Sequence, residues 1–463
     1  MLQFQELTAE HGAHLRPYYE RCDYRLCEYS LGVKLMWRGH LHPAFDEAAG
    51  CLIIRNVIDG DTVFDYPIPG PEGDTDAALT AIEGYCAAKG LPLSLSVVPE
   101  DKLPGLCLRY PRFRVTNERG WKDYLYHTEE LANFAGRRYS GQRNHINKFR
   151  RDYPDAALTD PDDPRLAAFW TDYEAEFHKT GPLAVKELEL AKEMFSLLRT
   201  GWFCAGGILA EGRLVAVCLA ERCGPTLVDH IEKALYSHAG AYPALVQSFA
   251  AYYGQDCLWC NREDDARDKG LRMSKLQYLP QELGGKVRID VGTELDSLTR
   301  IPTVKSERLT LTPLRPADRD DYNALCLDDD RNRWWGYDYR ADLGDAPLTD
   351  DYFLSVAKAD FAARRAVNFA VRLKGKLIGE VVLYNPDFRG GFEQGCRIAP
   401  AFAGHGYGTE AFAAAAEWAL YHLGLTRVVA KCFKENEASH RMLSASMRPS
   451  GEDETYFYFE KTV

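Results

Sequence analysis

The chain has little that would place it in a membrane, on nucleic acid or in an oxidising compartment. No apolar run in its 463 residues approaches the roughly 18 to 20 needed to span a bilayer. The start, Met1-Leu2-Gln3-Phe4-Gln5-Glu6, lacks the basic-then-apolar pattern of a signal peptide, so a cytoplasmic location is expected. Positive charge is in deficit. A formal net charge of -12 argues against a general nucleic-acid-binding surface and against DNA as a partner, while leaving room for a local basic patch. The thirteen cysteines are odd in number and scattered through apolar segments such as Cys51-Leu52-Ile53-Ile54; they read as reduced core thiols. Cys257-x-x-Cys260 has a metal-ligand spacing but no second pair. It falls in a predicted strand, where positions three apart face opposite sides, so no metal is expected. A phosphate-binding Walker loop, a dinucleotide fingerprint, a nucleophile elbow and low-complexity segments are all missing.

What is present is a run of three glycines at every second position, Gly404-His405-Gly406-Tyr407-Gly408. An apolar strand enters it, and an alanine-rich amphipathic helix leaves it over residues 411–423. Glycines in such a turn can take positive φ and let a ligand approach the backbone. The amides then converge at a helix N-terminus, where partial positive charge favours phosphate. On these residues alone the loop reads either as a diphosphate cradle or as an ordinary strand-to-helix turn.

The same strand–loop–helix–glycine–strand order occurs three times. Near residue 64 a strand enters Pro67-Ile68-Pro69-Gly70-Pro71-Glu72-Gly73, a helix follows over 76–89, then Gly90 and a strand over 93–98. Near residue 230 a strand enters Ser237-His238-Ala239-Gly240-Ala241-Tyr242, a helix runs to Tyr253, then come Gly254 and the strand Cys257-Leu258-Trp259-Cys260. The third copy is the glycine-rich stretch, whose helix ends at Gly424 before a strand over 427–432. A left-handed glycine cap is expected at each closing position. These glycines lie 164 and 170 residues apart, a whole-domain period. Three α/β domains with mixed α+β sheets are therefore expected: residues 1–127, 128–291 and 306–463, with 292–305 as a linker. Two-residue turns are predicted near Asp59-Gly60, at Glu211-Gly212 and at Lys374-Gly375, and a continuous helix over 131–152.

Three motifs carry a resemblance over residues 306–463. Gly404-His405-Gly406-Tyr407-Gly408-Thr409-Glu410-Ala411 resembles the acetyl-CoA loop of the GNAT acyltransferases, in particular the ribosomal-protein N-terminal acetyltransferase branch. Phe392-Glu393-Gln394-Gly395-Cys396-Arg397-Ile398 is similar to that branch's fourth strand, and Asn436-Glu437-Ala438-Ser439 to its Asn-x-x-Ser helix start. Ala403 stands where the superfamily pattern opens on Gln or Arg. The resemblance implies acetyl-CoA bound by Cys396, Ile398, Gly404, His405, Gly406, Tyr407, Gly408, Thr409 and Asn436, with the pantetheine arm along the strand. Read from the chemistry, His405 is as well explained as an exposed loop residue. Direct transfer to an amine needs a base and a group serving the leaving thiolate. Glu393 is the candidate base, with Glu380 as the alternative carboxylate, and Ser439 is the candidate for the thiolate. Trp334, Trp335 and Asp338, in an aromatic cluster, are candidates for the substrate wall; core packing explains the tryptophans equally well.

The front half resembles a different bacterial family. Asn144-His145-Ile146-Asn147-Lys148-Phe149, His230-Ile231-Glu232-Lys233-Ala234, Asn261-Arg262-Glu263-Asp264 and Gly270-Leu271-Arg272-Met273-Ser274-Lys275 are similar to relatives of the phosphatidylglycerol lysyltransferase catalytic domain and of the Fem aminoacyltransferases. Those are tandem GNAT-like folds that take aminoacyl groups from tRNA. The segment 109–151 holds eleven Lys or Arg against four Asp or Glu; within it Arg137-Arg138-Tyr139-Ser140-Gly141-Gln142-Arg143-Asn144-His145 is a candidate tRNA contact, although a solvated helix face is favoured. The second copy keeps one loop glycine, so CoA is not expected there. The resemblances together imply three GNAT-like acyl-CoA N-acyltransferase domains in tandem. The expected activity is acetyl-CoA-dependent N-acetylation of a small-molecule or peptide amine by residues 306–463. The rivals are an aminoacyl-tRNA-dependent transferase centred on 128–291, and a front half that only binds substrate.

Overall fold

The computed structural model describes residues 1–178, 182–197 and 201–463. Backbone contacts divide the chain into two units, one of Met1–Ile82, Ser94–Pro104 and Val115–Asp290, the other of Glu83–Leu93, Gly105–Arg114 and Val291–Val463. Three mixed sheets form, each built around one copy of the repeat. In every copy the strand entering the loop pairs in parallel with the strand leaving the helix: Phe64 with Leu95, Thr226 with Trp259, and Gly391 with Arg427. A parallel pair requires a crossover, and the intervening helices Thr75–Lys89, Ala241–Tyr253 and Tyr407–Trp418 supply it.

The predicted turns form for the expected reason. Asp59-Gly60, Glu211-Gly212 and Lys374-Gly375 all have positive φ at both residues, the two-residue hairpin geometry that matches strand twist. Two other expectations need correction. Gly90 and Gly424 close their helices at φ 62° and 90°, but Gly254 lies at φ -95°. Glycine is required there by crowding: a Cβ would stand 2.2 Å from Thr128 Cγ2 and 2.6 Å from the Ala250 carbonyl. The helix expected over 131–152 is broken. Thr128–Asn133 ends at Phe134 with φ 46°, Gly136 follows at φ 83°, and the helix restarts at Ser140–Asp152.

Strand partners also depart from chain order. Asp123–His127, which sequence order puts in the first domain, pairs in the second sheet between Glu282–Gly284 and Trp259–Asn261. Lys286–Val291, read as the end of the second domain, lies in the first sheet between Leu93–Pro99 and Phe113–Thr116. The stretch 292–305 is not a bare linker. Leu295 is fully buried in the C-terminal core, and Val304–Lys305 pairs with Leu309–Pro313 as an edge strand of the third sheet.

The third sheet runs in the order Val304–Lys305, Leu309–Pro313, Val367–Leu373, Lys376–Tyr384, Gly391–Ile398, Arg427–Phe433, Tyr456–Thr462, Arg448–Glu452. Its loop helix buries Ala411, Phe412, Ala415, Ala416 and Trp418, a spacing of three and four that makes one apolar face. Trp418 meets Phe369 edge-on, with ring centroids 5.2 Å apart. Small alanines let this helix lie close to the sheet, which fixes the loop before it. Among the described residues no helix is long and apolar enough to cross a membrane.

Candidate active site

The site begins where two strands part. Gly391–Ile398 pairs in parallel with the next strand only through Gly391, Phe392 and Glu393. From Gln394 to Ile398 it is paired on one side alone, to Lys376–Tyr384. The wedge that opens beyond Glu393 leads into a groove of about 510 Å³ whose far end is the glycine loop. Gly404 and Gly406 take φ 79° and 76°, and Gly406 is the left-handed N-cap of the helix starting at Tyr407. Gly408 lies inside that helix, facing Met442 and Ile398. The first amides of a 12-residue helix therefore face the groove with the partial positive charge of its N-terminus. Arg331 and Arg441 add cationic side chains to the lining.

Glu410, in the first turn of the helix, is turned away from this cradle. Its carboxylate accepts from the Arg308 amide, Arg308 Nε and the Ser306 hydroxyl, each at 2.7 Å. Arg308 also donates to the His405 carbonyl and lies over the Tyr407 ring, 4.7 Å from its centroid. Burial pulls the Glu410 carboxyl upward, but these donors outweigh it and its pKa is lowered.

On the strand, side chains alternate between two faces. Gln394 and Cys396 turn to the loop helix: Gln394 Nε2 donates to the Phe412 carbonyl at 2.8 Å, and Cys396 Sγ lies 3.8 Å from the Gly408 carbonyl. Burial pushes the Cys396 thiol up to about 12, so it is no nucleophile at neutral pH. Glu393, Gly395 and Arg397 face the other way. Glu393 accepts from the Tyr384 hydroxyl at 2.7 Å and Asn385 Nδ2 at 3.2 Å, with Lys431 Nζ 3.4 Å away. Burial raises the Tyr384 pKa, with Glu393 adding to it, so the phenol stays a donor. Gly395 leaves room for Trp335, whose ring would stand 3.2 Å from a Cβ there.

Glu380, the alternative base, is buried and saturated. It accepts from Tyr322, from Asn368 Nδ2 at 2.7 Å, from Arg397 Nε at 3.0 Å and from Arg397 Nη2 at 2.8 Å. A carboxylate offers about four lone-pair directions, and all are taken. Burial disfavours the Arg397 charge, yet Glu380 overrides it and the guanidinium pKa is raised. Arg397 is spread further over Asn332 Oδ1 at 2.9 Å, Cys326 Sγ at 2.9 Å and the Trp335 ring at 4.4 Å.

The remaining expected residues divide. Cys396, Ile398, Gly404, Gly406, Tyr407, Gly408, Thr409, Asn436 and Ser439 line the groove together with Glu393, Trp334 and Trp335. Asn436 caps the helix Glu437–Ser444 by accepting from the Ser439 amide at 3.1 Å. His405 does not line the groove; it is exposed, with Nδ1 2.8 Å from the Ala403 carbonyl. Asp338 does not line it either. Its carboxylate caps the short helix Tyr339–Leu343 in solvent. Tyr384, Lys431 and Arg397 had no assigned role in the sequence. Tyr384 faces Glu393, and Glu380 faces Arg397, as direct cross-strand pairs.

In the second copy the strands part in the same way, after Val228 and Asn261, but the wedge is filled. Arg262, buried at 3% exposure, donates to Glu232 on the splayed strand at 3.0 Å and to Tyr242 at the helix start at 3.1 Å, and stacks on Tyr278 at 4.3 Å. The backbone of the helix Ser140–Asp152 covers the loop: a Cβ on Gly240 would stand 2.6 Å from the His145 carbonyl. Lys275 donates to the Arg262 and Asp264 carbonyls, and Arg272 pairs with both oxygens of Asp265 at 2.8 and 3.0 Å. These polar residues are engaged with one another. The basic segment is similarly occupied, with Arg138 on Glu130 and Arg143 on the Phe134 and Gly136 carbonyls.

Residues 19–286, more than half of the chain, match the family described as phosphatidylglycerol lysyltransferase, C-terminal. The chain belongs to that family. Residues 308–446 match the GNAT acetyltransferase domain, so the lysyltransferase-family segment is followed by a GNAT domain and the three sheets are GNAT-like folds in tandem. The two matches together support acyltransferase activity. A conserved protein of unknown function from Bacteroides thetaiotaomicron VPI-5482 shares the fold, at 24% identity over 63% of this chain and 99% of that one, with a TM-score of 0.57. Similar structures also include Mycobacterium smegmatis RimJ in complex with CoA-disulfide (21% identity, 35% of this chain, 88% of that one, TM-score 0.31) and Vibrio cholerae spermidine N-acetyltransferase in complex with CoA and spermine (16%, 34%, 96%, TM-score 0.28). No curated protein matches the lysyltransferase-family chain.

Proposed function

We propose that residues 306–463 form an N-acetyltransferase that moves an acetyl group from acetyl-CoA to an amine directly, without an acyl-enzyme. The observation that carries this reading is the wedge beyond Glu393 ending in the helix N-terminus at Gly406: an open strand edge for an extended arm and a cradle for its diphosphate lie in one groove. In the second copy that space is taken by Arg262. The bound thioester supplies an acyl carbon to which the amine nitrogen bonds as the carbon–sulfur bond breaks. Glu393, ordered by Tyr384 and Asn385, takes the proton that the ammonium must lose. Ser439, at the first turn of its helix, stands on the thiolate side and is placed to return a proton or a hydrogen bond to sulfur. Cys396, Ile398, Gly404, Gly406, Tyr407, Gly408, Thr409 and Asn436 hold the donor, and Trp334 and Trp335 wall the acceptor.

Titration of acetyl-CoA into the full chain by calorimetry tests this. One binding site is expected, and heat-silent mixing at millimolar concentration would refute it. A second reading, transfer of an aminoacyl group from charged tRNA by the front half, rests on the family membership of residues 19–286. The packed wedge around Arg262 counts against it. Loss of label from charged tRNA to an acceptor in the presence of the full chain would decide in its favour.

A further inference from the structure

We propose that the acceptor carries its primary amine on a short chain from an aromatic ring, and that the ring enters a side cavity beyond Trp335; this rests on the acetyl-transfer reading of the groove. The cavity has a volume of about 250 Å³ and shares Trp335, Tyr384, Arg397 and Lys431 with the groove, so the two communicate beside Glu393.

Its walls are aromatic faces: Trp335, Tyr337, Tyr339, Phe353 and Tyr384, with Tyr322 at the floor. A dry cavity of about 150 Å³ takes a benzene ring, so this space suits one or two fused rings rather than a long chain. Charge argues the same way. The lining carboxylates are Glu380 and Asp360, and both are paired, Glu380 with Arg397 at 2.8 Å and Asp360 with Arg365 at 2.9 Å. Lys431 stands at the mouth. A polyamine placing a second ammonium in this cavity would meet no uncompensated negative charge among the described lining residues, and would pass a lysine to get there. A ring would meet aromatic side chains and leave the paired carboxylates undisturbed. With the ring seated, its amine-bearing chain leaves through the shared mouth lined by Tyr384, whose hydroxyl is on Glu393.

This chemistry comes from two sources: a free arylalkylamine, or a peptide whose first residue is aromatic, where the α-amine sits at the same distance from the ring. The test uses the full chain loaded with CoA and titrates phenethylamine, tryptamine, a peptide beginning with Phe, the same peptide beginning with Ser, and spermidine. At least tenfold tighter binding of the aromatic ligands than of spermidine and the Ser peptide is expected, with the same order in acetyl transfer. Preference for the Phe peptide over the free amines identifies a chain terminus as the source; the reverse identifies a metabolite. Val356→Phe, on the cavity wall, is expected to cost at least tenfold in aromatic-amine affinity with CoA affinity unchanged. Tyr337→Leu, at a half-exposed wall position, gives a smaller loss and guards against misfolding of the first variant. Spermidine binding as tightly as the aromatic amines, or wild-type affinity in both variants, would overturn the proposal. Failure of CoA itself to bind would instead undo the groove reading beneath it.

Discussion

Arg308 takes hold of Glu410 twice, by its backbone amide on one carboxylate oxygen and by Nε on the other, each at 2.7 Å. The pair ties the start of the GNAT domain to the first turn of the loop helix, and the same arginine reaches the His405 carbonyl at 3.1 Å. The glycine loop is thus braced from behind, and Glu410 keeps its charge off the cradle.

Glu410→Gln should therefore loosen the loop, and acetyl-CoA affinity should fall about tenfold to a hundredfold, corresponding to roughly 1.5–3 kcal/mol for a charge-assisted hydrogen bond. The pH dependence has a definite sign. Because the folded-state pKa of Glu410 is lowered, its stabilisation is present above the usual carboxylate range and lost as pH falls through the depressed value. Thermal melts of wild type and variant should converge in acid and separate at neutral pH.

At Gly406, φ is 76°. Gly406→Ala should strain the turn by about 1–2 kcal/mol and weaken acetyl-CoA binding modestly. Gly406→Asp adds a carboxylate to the cradle and should abolish binding. Equal calorimetric affinity for the two variants would refute the cradle.

Glu393→Gln and Glu380→Gln should separate chemistry from structure. The first should lower kcat by roughly 10²-fold or more while leaving the melting temperature in place. The second leaves the Arg397 charge buried without its counter-ion, a loss on the order of 3–5 kcal/mol, and should appear in denaturant unfolding. A Glu393→Gln enzyme with wild-type kcat would remove Glu393 as the base.

His230 links stability of the front unit to pH. Burial favours the neutral ring, but Glu221 at 3.4 Å and Glu263 at 3.0 Å outweigh it and raise the pKa from 6.5 to about 9. The stability this supplies, about 3 kcal/mol at about 1.4 kcal/mol per pH unit, is present below pH 6.5 and lost as pH rises through about 9. His230→Gln should flatten the alkaline fall in denaturant midpoint; an unchanged slope would exclude His230 as its source.

Local chemistry determined what was legible in the chain by itself. Two-residue turns of the Asp-Gly and Lys-Gly kind need positive φ, apolar residues three and four apart make a helix face, and glycines before a helix free its amides. These features are short-range, so the three βαβ units, the hairpins and the glycine loop follow from neighbouring residues. Tertiary structure decided what lies across strands. The six residues between Tyr384 and Gly391 leave the register of that pair open, since no two-residue turn pins it, and a shift by one position would move Glu393 and Arg397 to the opposite face. Only the paired sheet places Tyr384 on Glu393 and Glu380 on Arg397, which gives one carboxylate an open site and saturates the other. Sheet membership was equally hidden. Asp123–His127 and Lys286–Val291 pair outside their expected sheets, because a strand joins whichever edge can satisfy its backbone and bury its apolar side chains. The sequence contains three copies of one unit; packing leaves the wedge open in the third and closes it with Arg262 in the second.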